Sequence, residues 1–175
     1  MASLPIFISA VANSTDEPHF PILITWSTHD GQVKEVLVTP DDEWLHSHAI
    51  EPNIQNLDEQ QLYEFGYEAQ DILTEWATEL DTDTMYAVDA ETVEILIESL
   101  YDTKGLEPSF EINSIEQWFS ERDVNIHQAR EEQGEHTPLQ LLSPDEQIMS
   151  LLQIAANHDL LDLSALETDD SQNSA

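Results

Sequence analysis

Outside its carboxylates, the sequence offers few side chains that can move a proton, act as a nucleophile or hold a metal. It contains no cysteine, which excludes thiolate nucleophiles, disulfides and zinc–thiolate sites. Two of its histidines, His46 and His48, are spaced i, i+2 and could touch one metal ion. The plainer reading of that segment is a loop packed by Trp44. Asp89 stands between an apolar run and Thr92, which is where a helix N-cap belongs. The stretch Pro5 to Ala12, PIFISAVA, holds nothing that ligates a metal strongly or transfers a proton near neutral pH. This is the stretch around which the chain is expected to be built.

The carboxylates themselves are abundant. Thirty-seven acidic residues face four basic ones, Lys34, Lys104, Arg122 and Arg130, giving a formal net charge of -33. Such a chain repels itself and other polyanions. Nucleic-acid binders concentrate cations to displace phosphate counterions, and four scattered cations do not make such a patch. Three readings fit the acidity. It is the solvated surface of a salt-adapted or marine protein, an acidic face for a basic partner (nucleic-acid mimicry included), or in small part a carboxylate-rich metal site.

The positioning elements follow from hydrophobic period. Pro5–Ala12 is apolar on both alternating faces, as in a central strand covered on both sides. Phe20–Ser27 is a second strand, and Asp30-Gly31 a hairpin turn. Gln32–Thr39 is a third strand, closed by Pro40. Asp41–Leu57, with Trp44 and Pro52, reads as irregular. Asp58–Leu80 reads as one helix, capped by Asp58 and interrupted by Gly66. Met85–Val88 is a short strand, Thr92–Tyr101 a helix stopped at Lys104-Gly105, and Ser109–Ile112 a fifth strand. Ile115–Phe119 begins another helix, and Asn125–Gly134 is polar and poorly periodic. Pro144–His158 is a C-terminal helix with Ser143 and Glu146 at capping-box spacing. Residues 1–166 form one domain in this reading, and the acidic, Ser-bearing tail 167–175 is expected to be disordered. The N-terminus has no basic region or long apolar run of a signal peptide, and no segment approaches the ~18 apolar residues of a membrane span. A cytoplasmic location is the expectation.

The element order and several short motifs resemble the DEDD-type 3′–5′ exonucleases, the superfamily of ribonuclease T and the proofreading exonucleases. Phe20-Pro21-Ile22-Leu23-Ile24-Thr25-Trp26 with Asp30-Gly31 looks like the family's "PIEIGW…DG" strand and hairpin. Trp44 lies where a tryptophan often follows the third strand. Ile54-Gln55-Asn56-Leu57 with Leu62 and Gly66 resembles "IHGI…L…G". Tyr86-Ala87-Val88-Asp89-Ala90 with Leu100-Tyr101 resembles the second motif, and His136-Thr137-Pro138-Leu139 the start of "HRALxD". The resemblance spans about Pro5 to Asn157. It implies an α/β, ribonuclease-H-like fold: a mixed five-stranded sheet, three antiparallel strands then two parallel, with helices on both faces.

It also implies a site, and most of that site is missing. Enzymes of this family hold two divalent ions about 4 Å apart on four carboxylates, with a histidine as general base. The first motif, Asp-x-Glu, falls on Ser9 and Val11, and a frequent second-strand glutamate on Leu23. The second-motif aspartate falls on Asp89, the last histidine on His136, and the aspartate five residues later on Leu141. Only Asp89 and His136 match. One aspartate cannot clamp two divalent ions, and serine with two aliphatics cannot replace three carboxylates.

The expected function is therefore an exonuclease-like protein that has lost catalysis and serves as a binding or regulatory module for a protein partner. The alternatives are a metal-dependent exonuclease with a rearranged carboxylate site, for instance through Glu91 or Glu94, and an acidic nucleic-acid mimic. No catalytic residue, cofactor or metal is expected, with Mg or Mn at Asp89 only under the exonuclease alternative. A basic protein partner fits the charge, whereas free nucleic acid and membranes do not.

Overall fold

Every residue of Pro21–Ser27 is buried, as a run with apolar residues on both faces requires. The computed structural model describes residues 5–14, 18–47, 49–50, 57–80 and 82–160. This strand, β2, lies between β1 (Ile8–Ala12) and β3 (Val33–Leu37), antiparallel to both. The strand expected to be central, Pro5–Ala12, is thus on the flank of a three-stranded sheet, and β2 takes the middle. Gly31 turns the β2–β3 hairpin with φ 83°, in the left-handed region that glycine adopts without strain.

A second, parallel sheet pairs β4 (Thr84–Ala87) with β5 (Glu111–Ser114). Between the two sheets stands one parallel bridge, Phe7 to Tyr86, with Tyr86 N–H donating to Ile6 O at 3.0 Å. On its other side Phe7 is tied to β2: its carbonyl accepts from Ser27 N–H and its N–H donates to Ser27 Oγ, both at 2.9 Å. The fifth strand begins later than its apolar signal suggests, at Glu111 rather than Ser109.

The helices are α1 (Asp42–Ser47), α2 (Glu59–Phe65), α3 (Ala69–Glu79), α4 (Ala90–Asp102), α5 (Ile115–Ser120), α6 (Ile126–Glu132) and α7 (Pro144–Asn157). Two of them, α1 and α6, lie in segments that read as irregular. The single helix expected over Asp58–Leu80 is two, parted at Gly66. A Cβ there would meet Leu62 O at 2.2 Å and Thr39 N at 2.7 Å, so the chain passes β3 at a distance only glycine permits. Thr39 N–H and Tyr67 O bond at 3.0 Å beside it, and Tyr67 N–H reaches Leu37 O at 2.8 Å.

Alternation along β1 and β2 sorts the core. Ile8, Ile24 and Trp26, with Ile6 just before β1, pack against Ile72 and Trp76 of α3 and Val93 and Ile97 of α4. Phe7 packs to the opposite side, against Trp118 and Phe119 of α5, Ile126 of α6 and Ile148 and Ile154 of α7. Helices therefore cover both faces, and α7 lies over the Phe7 side. His48, Pro52, residues 54–56 and the tail from 167, with the domain end at 166, fall outside the described residues.

Candidate functional site

Ser9, Thr25 and Glu35 are register partners across β1, β2 and β3. Side chains in one such row share a face, and this face looks toward α7. Ser9 is only 7% exposed, and its hydroxyl needs an acceptor there. It donates to Gln147 Oε1 at 2.7 Å. The Gln147 amide nitrogen donates in turn to Leu139 O at 2.9 Å and Leu142 O at 3.4 Å. One glutamine side chain thus ties β1, the turn before α7 and α7 itself. Thr25 Oγ1 donates to Glu35 Oε2 at 3.2 Å. Glu35 sits on the exposed edge of the row, so its charge stays in water.

The next row is Val11, Leu23 and Leu37. Val11 packs with Leu23, Phe20 and Leu62 in a separate apolar cluster, against which Trp44 also rests, its ring stacked on Phe20 at 4.9 Å. The Trp44 segment is thus packed by its tryptophan, but as helix α1 rather than as a loop. His46 is an exposed residue of that helix.

The remaining sequence candidates lie elsewhere. Asp89 is exposed, and its carboxylate accepts from Thr92 N–H at 3.2 Å, capping α4. Glu91 and Glu94 lie on exposed positions of the same helix. His136 is exposed in the segment between α6 and the 3-10 turn Leu139–Leu141. Leu141, expected at the last-motif aspartate position, is 75% exposed, and Gln147, six residues further on, is the residue that meets Ser9. The sequence carried a signal for Gln147: a polar residue on the same helical stripe as Leu151 and Ile154. Among the described residues, no group of three or more His, Asp or Glu side chains is placed to hold a metal ion.

Three of the four cations are engaged within the fold. Lys34 pairs with Glu79 at 2.5 Å and Glu75 at 3.4 Å. The hydrogen bond to Glu79 raises its pKa above the usual lysine value. Arg130, 6% exposed, donates from Nε to Glu135 Oε2 at 3.3 Å, and Ser150 Oγ reaches the same oxygen at 3.2 Å. Arg122 lies 4.1 Å over the Trp118 ring and donates to Trp118 O at 2.8 Å. Lys104 is exposed. Among the described residues no helix is long and apolar enough to cross a membrane. Compared with known protein families and with curated proteins, the chain matches none.

Proposed function

We propose that this chain is an exonuclease-like protein without a catalytic centre, acting as a binding or regulatory module for a basic protein partner. The observation that carries the reading is the hydrogen bond between Ser9 and Gln147. Where the resemblance calls for a metal-binding carboxylate, a neutral hydroxyl is satisfied by a neutral amide. Divalent ions of the Mg²⁺ class require carboxylate oxygens at such a place. In this reading Gln147, not Leu141, stands at the last-motif carboxylate position, and the Phe7–Tyr86 bridge is the seam of one ribonuclease-H-like sheet ordered β3-β2-β1-β4-β5. The partner's charge follows from the acidity: opposite net charges steer encounter, and a chain with three of four cations already engaged has little with which to release phosphate counterions.

Calorimetry with MnCl₂ and MgCl₂, beside degradation assays on single-stranded DNA and RNA, tests this. Weak binding without defined stoichiometry and no degradation are expected. A two-ion isotherm abolished by Asp89→Ala, together with 3′–5′ degradation, overturns the reading in favour of an active exonuclease.

A further inference from the structure

Strand β5 ends its sheet, and among the described residues nothing pairs with its outer side. Glu111 N–H donates inward to Asp83 O at 2.8 Å. In a parallel ladder alternate residues turn their backbone groups to opposite sides. Glu111 and Asn113 therefore face β4, and Ile112 turns its N–H and C=O outward.

That open edge borders a groove of about 650 Å³ between α4 and the segment leading into β5. Ile97, Leu106, Phe110 and Ile112 give it an apolar lining, Leu106 being 54% exposed. Its rim is Glu94, Glu98, Asp102, Glu107 and Glu111, and no cation lines it. Grooves beside β3 and beside α2 each include a lysine, Lys34 and Lys104, and the groove between α5 and α6, which has neither Lys nor Arg, carries two carboxylates, Glu116 and Asp123, against five here.

We propose that this edge and groove bind an extended, Lys- or Arg-bearing segment of a partner protein, which adds to β5 as a further strand. The proposal rests on the partner-binding reading above and names where and how that partner is held. Backbone pairing at Ile112 supplies the attachment. Side chains on the groove-facing side of the added strand meet both the apolar lining and the carboxylates that border it, a long Lys or Arg stem lying along the apolar surface with its charged head at the rim. The same carboxylates disfavour the obvious competitor for an open edge, a second copy of this chain. Two like-charged rims would face each other across the seam, and acidic, short edges of this kind resist self-pairing.

The test is a titration of the ¹⁵N-labelled full chain with a short peptide of alternating Lys and Val at ~0.15 M salt, where exposed charges beyond ~8 Å are screened. Amide shifts should centre on Ile112 and its neighbours. N-methylation of the peptide at alternate residues removes the pairing donors but keeps the charge, and should weaken binding roughly tenfold or more. Glu98→Gln with Glu107→Gln should weaken it about tenfold, while Glu64→Gln with Glu131→Gln, an equal charge change at exposed sites outside the groove, should alter it less than about twofold.

No binding, shifts spread over the surface, equal affinity for the N-methylated peptide, or equal effects of the two double variants overturn the groove assignment. Those results leave the module reading standing, since a basic partner could dock elsewhere. Metal-dependent nuclease activity removes that reading whatever the peptide does.

Discussion

Ser9 Oγ donates a 2.7 Å hydrogen bond to Gln147 Oε1, joining residues 138 positions apart in the chain. A buried hydroxyl on β1 and a buried amide on α7 are each satisfied by the other, and the amide's second end holds two carbonyls of the preceding turn. Two carboxylates at these places would repel each other unless cations stood between them. The neutral pair lets the helix close onto the sheet with no ion at all. The contact is thus a packing device between β1 and α7.

Gln147→Ala should therefore destabilise the fold markedly. It leaves the Ser9 hydroxyl without its acceptor and frees the carbonyls of Leu139 and Leu142, a cost of about 1–3 kcal/mol. Leu141→Ala, at an exposed position, should change stability by less than about 0.5 kcal/mol. Urea unfolding of the two variants beside the parent checks both. Equal, small effects would mean that Ser9 and Gln147 are not held together in solution.

Elements whose own residues announce them were legible in the chain: β2 from its largely apolar, β-branched run, the Gly31 turn from Asp-Gly, α7 from Ser143, Glu146 and a regular stripe. The short helices α1 and α6 were not. α6 buries Ile126, Ala129 and Arg130, and an arginine on the buried side erases the apolar period. It is stabilised instead by Glu135, five residues on, whose carboxylate is held in turn by Ser150 of α7, a residue that only the folded chain brings near. β5 was misplaced because its pairing residues, Glu111 to Ser114, are mostly polar, while the apolar Phe110 just before it packs on α3 and α4. The identity of the residue facing Ser9 depended on where the 3-10 turn ends and α7 begins, and counting along a motif cannot supply that.

Gly66→Ala should be severely disruptive although Gly66 has an ordinary, negative φ of -79°. The added carbon has backbone atoms on two sides, Leu62 O at 2.2 Å and Thr39 N at 2.7 Å, and neither can rotate away. Overpacking of this sort costs about 1–3 kcal/mol or more. The strain should appear as a lowered melting temperature with loss of amide protection at Thr39, which donates to Tyr67 O, and at Tyr67, which donates to Leu37 O. An unchanged melting temperature would show that α2 and β3 do not approach this closely.

Stability should fall in the alkaline range. Lys34 is raised above its ordinary 10.5, first by its hydrogen bond to Glu79. Tyr101 is raised above 10.0 by burial, partly offset by hydrogen bonding with Ser109. In both cases the folded state keeps its proton longer than the unfolded state. The stabilisation is complete below the unfolded values and is lost as pH rises through the folded ones. Urea midpoints should hold steady below pH ~9.5 and decline beyond ~10. Tyr101→Phe should shallow that decline, as should Lys34→Met. A decline of unchanged steepness in both variants would assign the alkaline transition to other groups.

Salt should stabilise the protein through screening, and the form of the dependence identifies the cause. With thirty-seven acids and four cations, most carboxylates have no cation to pair with, and folding brings them closer together than they are in the extended chain. At ~0.01 M salt the Debye length is ~30 Å, and carboxylates on one face feel one another across the molecule. At ~0.15 M it is ~8 Å, and only near neighbours remain coupled. The melting temperature should rise steeply over this interval, by several degrees, since about 1 kcal/mol corresponds to ~2–4 °C for a chain of this size. Further NaCl should then add little. Exclusion of salt from the surface behaves differently: it strengthens apolar burial progressively with concentration and more with sulfate than with chloride. Scanning calorimetry in NaCl and in Na₂SO₄ at matched ionic strength separates the two. Coincident curves that level off above ~0.3 M are the expected result and assign the gain to charge screening. A flat response from low to high salt would mean that the acids are spaced widely enough not to repel. A continuing rise that is larger in sulfate would place the gain in the apolar core instead.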